Sequence, residues 1–118
     1  MQVNYSPGDL ADRYSILVLK KEIGLPVNDE LNEIKEELKI FFRTDGVSDL
    51  FNELLKSNRK QWELEDELRT SSSLEEAGST ALKIRECNSN RVTLKNKINK
   101  ILGKGYIEHK LYRSKEEL

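Results

Sequence analysis

The feature that most limits the fold is the stretch "TSSS", residues 70–73, because of what stands on either side of it. Upstream, residues 48–69 space Leu55, Asn58, Trp62, Glu65 and Arg69 at intervals of three and four, the signature of one helical face. Downstream, residues 74–102 carry Leu74, Ala77, Ala81, Ile84, Asn88, Arg91, Lys95, Ile98 and Leu102 at heptad spacing. Two helices of such length joined by so short a linker read as an antiparallel hairpin. Ser72 with Glu75, or Ser73 with Glu76, can form a capping box at the start of the second of them, and Gly103 can cap its end.

Two shorter helices precede the hairpin. In "NYSPGDL" Ser6 is suited to the N-cap, Pro7 to the first helical position and Asp9 to the positive end of the helix dipole, with Tyr5 and Leu10 placed as a hydrophobic staple. Leu10, Tyr14, Leu17 and Val18 follow as an apolar line, and "GLP" at 24–26 ends the helix. Asn28 can cap a second helix whose face is Leu31, Ile34, Leu38, Phe41 and Phe42, and "RTDG" at 43–46 is a turn. The expectation is an all-α fold of four helices, a long antiparallel helix 3–helix 4 hairpin and a short C-terminal extended tail. A single helical domain spans residues 1–105, and residues 106–118 form a tail, partly extended and partly disordered.

The hairpin seam has a polar interruption. On the heptad line of the last helix, Asn88, Arg91 and Lys95 occupy positions where Ile84 and Ile98 mark the core. The neighbouring line Ile84, Cys87, Arg91, Leu94, Ile98 and Ile101 is apolar except at Arg91, so Arg91 lies within or beside the apolar stripe on either choice. Antiparallel pairing brings Asn58 near Asn88 and Trp62 near Ile84, while helix 1 adds Asp12 and Arg13. A buried guanidinium is costly unless paired, and Glu65, Asp66, Glu86 and Asp12 are the carboxylates within reach. One reading is an ion-pair and amide network that holds helix register. Another is a cavity or subunit interface that receives an anionic ligand. A solvated face is the third.

Several activities are disfavoured. Twenty basic against twenty-one acidic side chains give a charge of −1, whereas a duplex-binding surface shows a basic excess. One cysteine, Cys87, and one histidine, His109, exclude an intramolecular disulfide and leave a Cys/His zinc site short of ligands. The acidic run Glu63, Glu65, Asp66 and Glu67 lacks the Glu-x-x-His motifs of di-metal carboxylate sites. "GKG" at 103–105 follows a helix and lacks the upstream glycine of a phosphate loop. "ILVL" at 16–19 is too short to cross a bilayer, and the first ten residues do not read as a secretory signal, so a cytoplasmic setting is expected, the host cytoplasm if the protein is viral.

Two stretches, "SPGDLADRYSILVLK" at 6–20 and "ECNSNRVTLKNKIN" at 86–99, together with "WELED" at 62–66, carry a resemblance. The chain resembles a family of small uncharacterised helical-hairpin proteins of bacteria and phages. Its members open with a Ser-Pro-Gly-acid-Leu helix start and close with an Asn-x-x-Arg-x-x-Leu-Lys helix. The resemblance covers most of the chain apart from helix 2 and the tail, and it implies a helical fold rather than an activity.

No catalytic constellation stands out, and no cofactor or metal is called for. The first functional expectation is a non-enzymatic protein that sequesters a small anionic, nucleotide-like, phosphate-bearing ligand at an inter-helix or inter-subunit site. A phage counter-defence sponge, working as a homo-oligomer, fits that description. Arg91, Lys95, Arg85 and Arg69 would neutralise phosphates, Trp62 or Tyr5 would stack on a base, and Asn58 and Asn88 would read its edges, with Arg13 nearby. The alternative is a helical protein-interaction adaptor, or an inhibitor of a host protein, that presents a groove to a partner helix.

Overall fold

A computed structural model describes the backbone of residues 6–117 and the side-chain surroundings of residues 6–102. Four helices follow one another: α1 (Pro7–Glu22), α2 (Asn28–Leu38), α3 (Val47–Arg69) and α4 (Leu74–Glu117), with a 3₁₀ turn at Phe41–Arg43. No strand occurs among the described residues. Helices α3 and α4 form the expected hairpin, α1 packs on both of them, and α2 packs on α1.

Local chemistry accounts for the boundaries. The Asp9 amide donates to Ser6 Oγ at 3.1 Å, with Pro7 in the first helical position. At the other end of α1, Gly24 adopts φ +89°, which allows its amide to donate to Lys21 O and that of Leu25 to Lys20 O, each at 3.0 Å. Asn28 does not cap α2: the helix begins at Asn28, Val27 precedes it, and no side chain bonds the first amides. The acids Asp29 and Glu30 supply the favourable dipole charge there instead. Helix α2 stops at Leu38, so Phe41 and Phe42 lie in the 3₁₀ turn rather than on the α2 face. Gly46, at φ +86°, lets α3 start one residue earlier than Ser48 and buries Val47.

Of the two capping boxes open to α4, the structure forms half of the Ser73–Glu76 one, with the Glu76 carboxylate bonding Ser72 rather than the Ser73 amide. The Glu76 amide donates to Ser73 Oγ at 3.1 Å, and the Glu76 carboxylate accepts from Ser72 Oγ at 2.9 Å. Gly103 does not end the helix. The backbone runs on through Gly103 and Gly105 to Glu117, helical where an extended arm was expected. An interior glycine weakens a helix by only about 1 kcal/mol, and no proline follows to stop it. The side chains of the tail, His109 included, lie outside the described residues, as does Tyr5.

Two apolar clusters form the interior. Ala11, Val47, Leu54, Leu94, Ile98 and Leu102 fill the junction of α1, α3 and α4, while Leu10, Leu17, Leu31, Ile34 and Leu38 join α1 to α2. Phe41 and Phe42 pack against both. Close approach of α1 to the hairpin rests on small residues: Gly8, Ala11 and Ser15, at helical spacing, are all buried. A Cβ on Gly8 would lie 2.5 Å from the carbonyl oxygen of Lys95.

Candidate functional site

The register of α4 decides which polar residues face inward. Its buried or half-buried line is Ala77, Thr80, Ile84, Cys87, Arg91, Leu94, Ile98 and Leu102. This is the neighbouring line of the sequence reading, apart from Ile101, which yields its place to Leu102. Asn88, on the strict heptad line, is exposed. A straight helix repeats every 3.6 residues, so a 3.5-residue line drifts off the buried face over four turns.

Arg91 does reach the interior, and its partner comes from α1. Its Nε lies 3.5 Å from Oδ1 of Asp12, a residue only 8% exposed. The Asn58 amide nitrogen donates to the same Asp12 oxygen at 3.0 Å and to Ser15 Oγ at 2.6 Å, and Ser15 Oγ donates to the Asp12 carbonyl at 2.6 Å. Four polar side chains from three helices thus meet where α1 crosses the hairpin. One turn further along α4, Lys95 pairs with Asp9 at 2.6 Å, and beyond it Asn99 Oδ1 accepts the Gly8 amide at 2.7 Å.

These contacts place α1 obliquely. It runs antiparallel to α4 from Asn99 to Arg91, crosses to α3 at Asn58, and ends beside Arg59, whose guanidinium donates two bonds to Glu22 at 2.6 and 3.0 Å. That pairing holds the Glu22 carboxyl below, and the Arg59 guanidinium above, their ordinary ranges.

The Lys95 ammonium lowers the Asp9 carboxyl below the usual aspartate range, against a smaller opposing effect of burial. A depressed carboxyl stabilises the fold above its unfolded-state value, and that contribution is lost as pH falls through the folded-state value. Lys95→Met is therefore expected to reduce stability at neutral pH by no more than about 1 kcal/mol, since Asp9 is well solvated. The difference from wild type should close in acid below the ordinary aspartate range. Urea unfolding at both pH values checks this, and a gap that stays open in acid would assign the loss to packing.

The residues expected to gather around one ligand do not all converge. Arg91, Lys95 and Asn58 share the α1 crossing, each already partnered. Arg13 is exposed and pairs with Glu30 on α2, and Arg69 is exposed and pairs with Asp66 on its own helix. Arg85 and Asn88 are exposed. Trp62 is half-buried on α3, one turn beyond Asn58 on the same face and past the end of α1. The expected pairing of Asn58 with Asn88 is replaced by bonds to Asp12 and Ser15. The hairpin register is near that expected, since Ser57 Oγ donates to the Cys87 carbonyl at 3.4 Å and accepts from Asn90 at 3.3 Å.

Sequence reasoning passed over Gly8, Asp9, Ser15 and Asn99 as partners in this junction. A signal was present in the spacing of Gly8, Ala11 and Ser15, small residues at three and four that admit a neighbouring backbone. Among the described residues, two side-chain polar atoms are buried without a hydrogen bond, Arg91 Nε and Gln61 Oε1. No group of three or more metal-ligating side chains occurs among the described residues, and no helix searched is long and apolar enough to cross a membrane.

Beyond this crossing, residues 60–90 carry the hairpin away from the rest of the fold. No hydrogen bond or ion pair among the described residues ties that segment to α1 or α2. Leu64 and Thr80 are buried there, yet neither belongs to the two core clusters. In that segment Trp62 and Glu65 on α3 and Ile84 on α4 are half-buried, and Ala81 is exposed. The chain matches no protein-family model, no curated protein and no solved structure.

Proposed function

We propose that this chain is a non-enzymatic binding protein whose hairpin receives one amphipathic, basic helix of a partner protein beyond the end of α1. The observation that carries the reading is the half-burial of Trp62 and Ile84 in a part of the hairpin that no hydrogen bond or ion pair among the described residues ties to α1 or α2. Helix α1 packs on one part of the hairpin, and in this reading the partner helix lies further along the same side, over the half-buried Trp62 and Ile84. Charge gives the occupant its sign. Residues 60–86 hold four basic and seven acidic side chains, an excess that favours a cationic helix and repels a second copy of the same tip. Arg91 and Lys95 face carboxylates of α1, so the cations that an anionic ligand would need are engaged within the fold.

Capture of a small phosphate-bearing ligand is the second reading, and one observation favours it. Arg91 Nε is buried without a hydrogen bond, a donor that an anion entering beside Asp12 would satisfy. Sequestration of a nucleotide, in a phage or elsewhere, and assembly into a homo-oligomer belong to that reading.

Trp62 is the only tryptophan, so intrinsic fluorescence reports this part of the hairpin directly. A cationic Leu/Lys amphipathic peptide is expected to shift the emission to shorter wavelength, and a Leu/Glu peptide of the same apolar pattern to leave it unchanged. Ala81→Arg, at an exposed position, should abolish the response without altering the melting temperature. Equal responses to both peptides, or none, reject the docking reading. A nucleotide panel that instead raises the melting temperature of wild type, but not of folded Arg91→Met, puts the second reading first.

A further inference from the structure

On the side of the fold away from the hairpin tip, α1, α2, the 3₁₀ turn and α3 enclose a groove of about 630 Å³. Tyr14, Phe42 and Phe51 form its floor. The Tyr14 and Phe51 ring centroids are 5.4 Å apart, those of Phe42 and Phe51 5.2 Å at a steep 66° angle, and those of Tyr14 and Phe42 6.2 Å. Each ring is only half-buried, so the cluster keeps aromatic surface open to the groove. Lys35 and Lys39, one turn apart on α2 and just past its end, stand at the rim with a single carboxylate, Glu36, between them.

From this geometry we propose a small-molecule site that takes a planar aromatic ring bearing a carboxylate or phosphate. The three rings already pack on one another at 5.2–6.2 Å, so a ligand ring would stack on or meet the edges of the aromatic surface they leave open to the groove. The volume falls in the range of small-molecule clefts. The rim carries two cations against one anion, which selects for negative charge on the part of the ligand that remains near solvent. The site shares no residue with the proposed hairpin docking surface or with the Asp12–Arg91 junction, so it stands or falls independently of both.

Three probes separate the contributions: 2-naphthoate, its neutral analogue 2-naphthamide, and cyclohexanecarboxylate, which keeps the charge without the planar ring. Titration is followed through backbone amide shifts in ¹H–¹⁵N spectra. With 2-naphthoate the shifts should concentrate at Tyr14, Lys35, Lys39, Phe42 and Phe51, while cyclohexanecarboxylate gives little response. Lys35→Gln combined with Lys39→Gln changes only exposed side chains and is expected to weaken 2-naphthoate about fivefold, leaving 2-naphthamide unaffected. The proposal is overturned by absent or scattered shifts at about 10 mM probe, well above a millimolar dissociation constant. It is overturned equally by cyclohexanecarboxylate binding as tightly as 2-naphthoate, or by a double variant that binds the anion unchanged.

Discussion

Gly8→Ala is expected to destabilise the protein by about 3 kcal/mol, the upper end of what a single added methyl group does in a close-packed interior. The reason is where the new Cβ would go. It would lie 2.5 Å from the Lys95 carbonyl oxygen and 3.0 Å from Asn99 Oδ1. The first of these is backbone of α4 and cannot rotate away, so α1 must move outward. That movement stretches the 2.7 Å bond from the Gly8 amide to Asn99 and loosens the contacts of Ala11 behind it. For a domain of 118 residues the loss corresponds to a melting temperature lower by on the order of 10 °C. A thermal scan with urea unfolding checks it. A change below about 1 kcal/mol would mean that α1 does not rest on α4 as closely as described.

Asp12→Ala should produce a loss of similar size for an electrostatic reason. Removing the carboxylate takes the nearby counter-charge from the Arg91 guanidinium and one of two acceptors from the Asn58 amide. Breaking a buried pair from one side costs about 3–5 kcal/mol, and the lower figure applies because the Arg91 side chain keeps 29% of its exposure to water. The informative measurement is a double-mutant cycle. Arg91→Met in the Asp12→Ala background takes away the stranded charge and should restore part of the stability, about 1–2 kcal/mol. Additive losses would show that the two side chains are not coupled. Arg13→Ala, which breaks an exposed pair with Glu30, is a control expected to change stability by less than about 1 kcal/mol.

The two predictions test the same crossing from opposite sides, one through packing and one through charge. Together they bear on function. Arg91 and Lys95 pair with carboxylates of α1 at this crossing, and the docking proposed above uses the part of the hairpin beyond it. A ligand that drew Arg91 away from Asp12 would loosen α1, so Arg91 cannot serve both purposes without changing the fold's stability.

Much was legible in the residues alone. Helix starts follow from short-range chemistry, and Ser6 with Asp9, Ser73 with Glu76 and Gly24 act within one or two turns of where they stand. The hairpin and its register follow from helix length and a short linker. The end of α4 was less legible, because glycine terminates a helix only when its surroundings favour the left-handed conformation, and nothing local demands that at Gly103. Asn28 failed as a cap for a related reason: a capping side chain works only in the residue before the helix, and the chain enters α2 through Val27.

The sequence by itself determined that the protein is a four-helix, hairpin-based fold and that Arg91 falls within or beside the apolar stripe of its helix, since periodicity and capping are local properties of a chain. Only the tertiary structure decided what Arg91 meets. Asp12 and Asn58 stand 46 residues apart, and Gly8 and Asn99 stand 91 apart. Pairings at such separations are set by the angle at which α1 crosses the hairpin, which depends on how small residues from different helices fit together in three dimensions.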